Sequence, residues 1–163
     1  MKKILAFALA LAMILTCSLA LADRLDDIKA AGKLTVATSP DWPPYEYIDD
    51  NGDIVGTDIL MCQWMAEQLG VELEIQPMAF DACLAAVGNG SVDMMVAGLT
   101  YDEARLNRME LTGIYWNEGD QGLLVKKGTG ASLNSVEAFD GKTVAAQNGT
   151  NQQIMVEEQL PNA

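Results

Sequence analysis

Histidine is missing altogether from these 163 residues, and cysteine occurs only three times. Without an imidazole there is no side chain that shuttles protons near neutral pH, which excludes nucleophile–histidine catalysis. Cys17, Cys62 and Cys83 form no close pair and have no histidine beside them, so neither a zinc site nor any other metal or cofactor is expected. Positive charge is also scarce: 10 Lys and Arg stand against 23 Asp and Glu, for a net charge of −13. Nucleic acid and anionic membrane are therefore not expected as partners. A local arginine in a pocket escapes this balance, because distant surface carboxylates are screened over about 8–10 Å.

Long apolar runs are lacking too, apart from the first residues. Lys2 and Lys3 precede an apolar run from Ile4 to Leu15, and Ala20-x-Ala22 stands before Asp23. This run is short for a bilayer span and has the pattern of a secretory signal over residues 1–22, cleaved after Ala22. Cleavage removes two lysines and moves the net charge from −13 to −15. Cys17 offers lipid attachment as an alternative, but Thr16 makes a poor lipobox and no flexible tether follows. Export to the periplasm or cell surface is the expectation, with cleavage favoured over a lipid anchor.

What is present centres on Ala97-Gly98-Leu99-Thr100-Tyr101-Asp102-Glu103-Ala104-Arg105. The apolar run from Val92 to Ala97 predicts a buried parallel strand. Thr100-x-x-Glu103 has the form of a capping box opening a helix. A strand that turns through glycine into a helix leaves free N–H groups and a partial positive charge at the turn. Arg105 adds a guanidinium able to grip a carboxylate. Read alone, the same residues are equally a plain helix start, with Arg105 paired to Asp102 on a wet face.

The rest of the chain supplies context. Asp23 to Ala31 predicts a short helix closed by Gly32, and Leu34 to Thr38 a first strand running into the proline-stiffened loop Ser39 to Tyr45. Asp49-Asp50-Asn51-Gly52-Asp53 predicts a hairpin turn; Gly52 comes too early for a calcium loop. A helix follows, capped by Thr57 or Asp58 and stopped by Gly70, with Ile59, Cys62, Ala66 and Leu69 on one face. Val71 to Gln76 predicts a second strand and Phe80 to Gly88 a helix, so that Val92 to Ala97 is the third strand. Alternating β-α-β-α-β implies a parallel sheet covered on both faces. With strand order 2-1-3, right-handed crossovers put the helices bearing Cys62 and Cys83 on opposite faces, beyond disulfide reach. The same order brings the loops after strands 1 and 3 together, and Trp42 near Gly98.

Leu111–Tyr115 and Gly122–Val125 are expected to be extended, and residues 126–130 to form a linker. Beyond it come a short helix from Ser135 to Phe139, a strand from Thr143 to Gln147 and a helix opened by a second capping box, Thr150-x-x-Gln153. Two such helix starts can face one carboxylate from opposite sides of a cleft.

Taken together, Gly32 to Tyr45, Gly52-x-x-Val55-Gly56-x-Asp58, Phe80-Asp81 to Asp93, Ala97 to Arg105 and Asp140-Gly141-Lys142 to Thr150 resemble solute-binding protein family 3, the amino-acid receptors of polar amino-acid ABC importers. The resemblance implies an α/β fold of the periplasmic-binding-protein-like type II class, with one near-complete lobe and part of a second. The expected division is a signal segment over 1–22, lobe one over 23–127 and a partial lobe two over 128–163. By the same resemblance Trp42 stacks on the ligand side chain and Phe80 forms the opposite wall. Gly98 takes the ammonium through its carbonyl, Thr100 and Arg105 hold the carboxylate, and Gly149, Thr150 and Asn151 contribute from the second lobe. Taken singly, Trp42 or Phe80 is more often a core residue. Ser39 stands where some receptors for basic amino acids carry an acid, which weakens a Lys or Arg ligand.

In this family the second lobe continues well past the Gly-Thr motif, so the chain is expected to be a fragment or a shortened product with a poorly packed second unit. The implied partners are a free amino acid and a membrane permease, and the implied state is a monomer. An enzyme on the same fold, such as a dehydratase of a cyclic amino acid, is the rival function; it requires a general acid or base for which no residue stands out. A ligand-sensing receptor module is a third reading.

Overall fold

The structure, a computed structural model, describes residues 24–117 and 119–163. The expected signal segment and Cys17 lie outside them. Helix α1 (Arg24–Ala31) leads into strand β1 (Lys33–Thr38), which is followed by β2 (Asp41–Trp42), β3 (Glu46–Ile48) and β4 (Ile54–Val55). Next come α2 (Thr57–Leu69), β5 (Glu72–Pro77), α3 (Phe80–Gly88) and β6 (Met94–Met95). Helix α4 (Asn151–Gln159) follows after three short 3-10 turns.

The principal sheet has the order β5-β1-β6 and is parallel, with Val36 opposite both Ile75 and Met94. This is the 2-1-3 order expected from the crossovers. Successive residues of a strand face opposite ways, and the two faces of the central strand are packed differently. Leu34 and Val36 join Ile28, Cys62, Ala66 and Val96 on one side. Ala37 joins Cys83, Ala86 and Val92 on the other. Cys62 and Cys83 are accordingly free and buried, one in each cluster. Asp93 anchors the first helix to this sheet: it pairs with Arg24 at 2.8 Å and accepts the Thr35 N–H at 2.7 Å.

Strands β2, β3 and β4 form a small antiparallel sheet. The turn between β3 and β4 is closed by Asp49, whose carboxylate accepts the backbone N–H groups of Asn51 and Asp53, both at 2.9 Å. Those bonds, the Asp53 N–H foremost, hold the Asp49 carboxyl below its ordinary pKa. The acidic cluster is thus a self-satisfied hairpin turn.

Several local expectations are corrected. Neither Thr57 nor Asp58 caps α2; Gly56 is its N-cap, and no side chain caps it. Glu103–Asn107 is a 3-10 turn rather than an α-helix, and its cap is Asp102, which accepts the Ala104 N–H at 2.9 Å. Thr100 lies two residues too early: the chain is extended at Asp102, and the shorter carboxylate reaches the turn's free N–H first. The expected helix from Ser135 is a 3-10 turn over Val136–Phe139. Thr143–Gln147 and the stretches around Leu111–Tyr115 and Gly122–Val125 belong to no strand among the described residues. A strand exists only through a neighbour that takes its backbone bonds, and these segments pair with no strand among the described residues. The C-terminal unit is thinly packed: Phe139, Thr150 and Leu160 are its buried residues, and α4 borders an open cavity of about 450 Å³.

Candidate functional site

The carboxyl ends of β1 and β6 lie side by side, as the sheet order dictates. Beyond β1 the chain buries Thr38 and Ser39, turns, and presents Trp42. Beyond β6 it turns at Gly98, where φ is +53°. A Cβ on Gly98 would lie 3.6 Å from Trp42 Cδ1 and 3.9 Å from Glu46 Oε1. The indole therefore rests against the Gly98 turn while staying 46 % exposed, which suits a platform better than a core residue.

Arg105, in the middle of the 3-10 turn, reaches the second unit. Its Nη2 donates to the Gly149 carbonyl at 3.1 Å and to Asn151 Oδ1 at 3.0 Å. Its Nε is buried and has no hydrogen-bond partner. Burial lowers the guanidinium pKa and the Asp102 charge opposes that, yet arginine stays a cation at neutral pH.

The second unit presents the start of α4 to this cation. The Thr150 hydroxyl accepts the Gln153 N–H at 3.2 Å, and Gln153 Oε1 accepts the Gly149 N–H at 2.9 Å. The first bond is the one expected from Thr150-x-x-Gln153; the second falls one residue earlier than in a capping box, on Gly149 instead of the N-cap Thr150, whose own N–H goes to the Gln147 carbonyl. Gly149, with φ of +80°, packs on the first turn of α3: a Cβ there would lie 3.2 Å from Leu84 Cδ1 and 3.3 Å from Asp81 Cβ. Asp41 adds a further bridge by accepting Gln147 Nε2 at 2.9 Å. Arg105 thus meets a helix N-terminus while an exposed indole rests on the Gly98 turn, and groups of these kinds are able to hold a carboxylate and a side chain.

Of the expected site residues, Trp42 and Gly98 meet directly, and Arg105 meets Asn151 beside Thr150. Thr100 is exposed, next to the Gly98 turn in sequence. Ser39 is buried, its carbonyl accepting the Asp41 N–H at 2.8 Å. Phe80 is buried as the first residue of α3, the helix that Gly149 packs against. Three residues of the cleft were not singled out for it by sequence reasoning. Gln147 and Tyr115 carry no local signature. Asp58 is part of a Gly-x-Asp pattern, but that pattern suggests a helix cap, whereas the carboxylate is buried and accepts bonds from Gly98 and Tyr115.

Comparison with known proteins identifies the family and the fold. The L-cystine-binding protein TcyJ of Escherichia coli (strain K12) is 29 % identical over 127 residues, 78 % of this chain and 47 % of that protein. The arginine-binding extracellular protein ArtP of Bacillus subtilis (strain 168) is 30 % identical over 79 % of this chain and 49 % of its own. The chain thus spans about half the length of these curated relatives. Among solved structures, the amino acid ABC transporter substrate-binding protein AbpA from Streptococcus pneumoniae, bound to L-arginine, superposes with a TM-score of 0.79 at 38 % identity, covering 85 % of this chain and 59 % of that one. The ancestral amino acid-binding protein AncCDT-1, a precursor of cyclohexadienyl dehydratase, gives 0.79 at 32 % identity, over 86 % and 63 %. The fold is that of the type II periplasmic binding proteins. The family model for bacterial extracellular solute-binding proteins, family 3, matches residues 34–161. With most of its length matched by that model, the chain belongs to the bacterial extracellular solute-binding proteins of family 3.

Proposed function

We propose that this chain captures a free α-amino acid in the cleft bordered by Trp42, Gly98, Arg105 and the start of α4, and delivers it to an ABC importer. The observation that carries the reading is the Arg105 guanidinium, whose buried Nε has no acceptor among the described residues. A buried donor without a partner is costly, and a ligand carboxylate at this point would satisfy it. In this reading Thr100, Thr150 and Asn151 add hydrogen bonds to the carboxylate, the Gly98 carbonyl takes the ammonium, and Trp42 and Phe80 flank the side chain. The lobes run from 23 to 127 and from 128 to 163, and residues 1–22 are removed on export, so that the protein works outside the cytoplasmic membrane as a monomer beside its permease.

Binding rather than catalysis is supported by the names of the relatives, which are binding proteins. Ser39 in place of an acid argues for a ligand without a cationic side chain, whereas a similar solved structure holds L-arginine. A thermal-shift panel of the common L-amino acids and L-cystine on the purified chain decides both points. A ligand at a hundredfold excess over Kd stabilises the folded form by about 2.7 kcal/mol. A folded protein whose melt no amino acid shifts would defeat the proposal, and a shift with L-arginine would defeat the inference from Ser39.

A further inference from the structure

Asp58 is the second residue of α2, where a carboxylate is ordinarily wet, yet it is 1 % exposed. Its backbone is pinned: the Asp58 N–H donates to the Tyr45 carbonyl at 3.0 Å and the Thr57 N–H to that of Pro44 at 3.2 Å. One side-chain oxygen, Oδ2, accepts two bonds from distant parts of the chain. The Gly98 N–H donates to it at 3.3 Å and the Tyr115 hydroxyl at 2.9 Å. The other oxygen, Oδ1, is buried and has no hydrogen-bond partner among the described residues. Gly98 is the turn under Trp42. Tyr115 lies on the segment that joins the Arg105 turn to the second unit.

A buried carboxylate is tolerated only where donors replace its lost water. Here both donors converge on one oxygen, so the withdrawal of either leaves the charge under-solvated and the carboxylate with one restraint fewer on its position against the other. Burial, together with the neighbouring Asp58 charge, raises the Tyr115 pKa, so the phenol remains a donor throughout the neutral range.

We propose that Asp58 is a positioning residue that ties the Gly98 turn of the ligand seat to Tyr115 on the connecting segment, so that the two are placed together. This rests on the reading of the cleft as an amino-acid site, and adds a link from that seat towards the second unit. Asp58 acts through Gly98 rather than by touching the ligand. Because both bonds go to one oxygen, an amide at position 58 can keep both while losing the charge.

The test compares Asp58→Asn, Asp58→Ala and Tyr115→Phe in the purified chain. Two readouts are used: the Gly98 amide resonance in ligand-free 15N spectra, and calorimetric affinity for L-glutamine, an amino acid without a cationic side chain. Tyr115→Phe is expected to move the Gly98 resonance. Asp58→Ala and Tyr115→Phe are each expected to weaken binding by about tenfold or more, with Asp58→Asn close to the parent and the Ala/Phe double variant no worse than Asp58→Ala. An unmoved Gly98 resonance in Tyr115→Phe overturns the tie. Loss of binding in Asp58→Asn as deep as in Asp58→Ala also overturns it, since the charge would then be acting directly. Should Asp58→Ala fail to fold, Tyr115→Phe and Asp58→Asn decide the matter alone. A moved Gly98 resonance in a protein that binds no amino acid supports the tie and defeats only the functional reading.

Discussion

Replacing Gly56 with alanine should destabilise the protein severely, and the structure supplies the magnitude. Gly56 has φ of +131° and ψ of 178°, a region essentially closed to residues with a side chain. Its missing Cβ would fall 2.1 Å from the Tyr45 carbonyl oxygen, 2.5 Å from the carbon and 2.8 Å from the Pro44 oxygen, where ordinary contact begins at 3.4 Å. All three are backbone atoms, so no side chain can swing aside. The first turn of α2 has to retreat, and the bonds from Thr57 and Asp58 to those two carbonyls break. The dihedral strain costs about 1–3 kcal/mol and each of the two lost bonds about 0.5–1.5 kcal/mol, for a total of about 2–6 kcal/mol. That is a large share of the ~5–15 kcal/mol that holds a typical domain folded. Gly70→Ala is the control, because Gly70 also has positive φ, +69°, but open space where the Cβ would go. Only the left-handed penalty of about 1–2 kcal/mol applies there. Urea unfolding of both variants, fitted with a common slope, measures the difference. If the two variants lose the same stability, the steric account of Gly56 is wrong, and so is the claim that this contact seats Asp58.

Arg105→Ala should cost about 2–5 kcal/mol of ligand affinity by calorimetry, because it removes a partly buried cation together with its bonds to Gly149 and Asn151; unchanged affinity would reject the carboxylate seat. Trp42→Ala should weaken binding while leaving the urea midpoint nearly unchanged, since the indole is half exposed; a cooperative loss of stability would show it to be core. Burial pushes the Cys62 thiol up to about 12 and that of Cys83 up to about 11. An unfolded chain gives up these protons first, near the ordinary thiol value of about 8.5–9, so stability falls as pH rises from there towards 11. The urea midpoint should drop across that window, and an equally steep drop in Cys62→Ala/Cys83→Ala would exclude the thiols as its cause.

Much of the first unit was legible because its signals are local or periodic. Apolar alternation marked β1 and β5, helical spacing marked the buried face of α2, and Asn51-Gly52 marked the hairpin. The handedness of crossovers then placed β1 in the middle, the two thiols on opposite faces and Trp42 beside Gly98. Thr150-x-x-Gln153 did open α4, with Gln153 reaching Gly149 instead of the N-cap itself, because every bond of that cap lies within a few residues. The same motif at Thr100-x-x-Glu103 failed since Asp102, one residue before Glu103, competed for the turn and won.

Only the tertiary structure decided the rest. Thr143–Gln147 has the composition of a strand, but pairing is a property of two segments, and this one pairs with no strand among the described residues. The contacts of Arg105 with Gly149 and Asn151, of Asp41 with Gln147, and of Asp58 with Gly98 and Tyr115 all join residues 40 or more apart. A side chain's own preferences reach about one helical turn, so its local sequence can say that Asp58 suits a helix start or that Arg105 suits an anion. Which distant groups it meets depends on how the sheet and the cleft bring the chain back on itself.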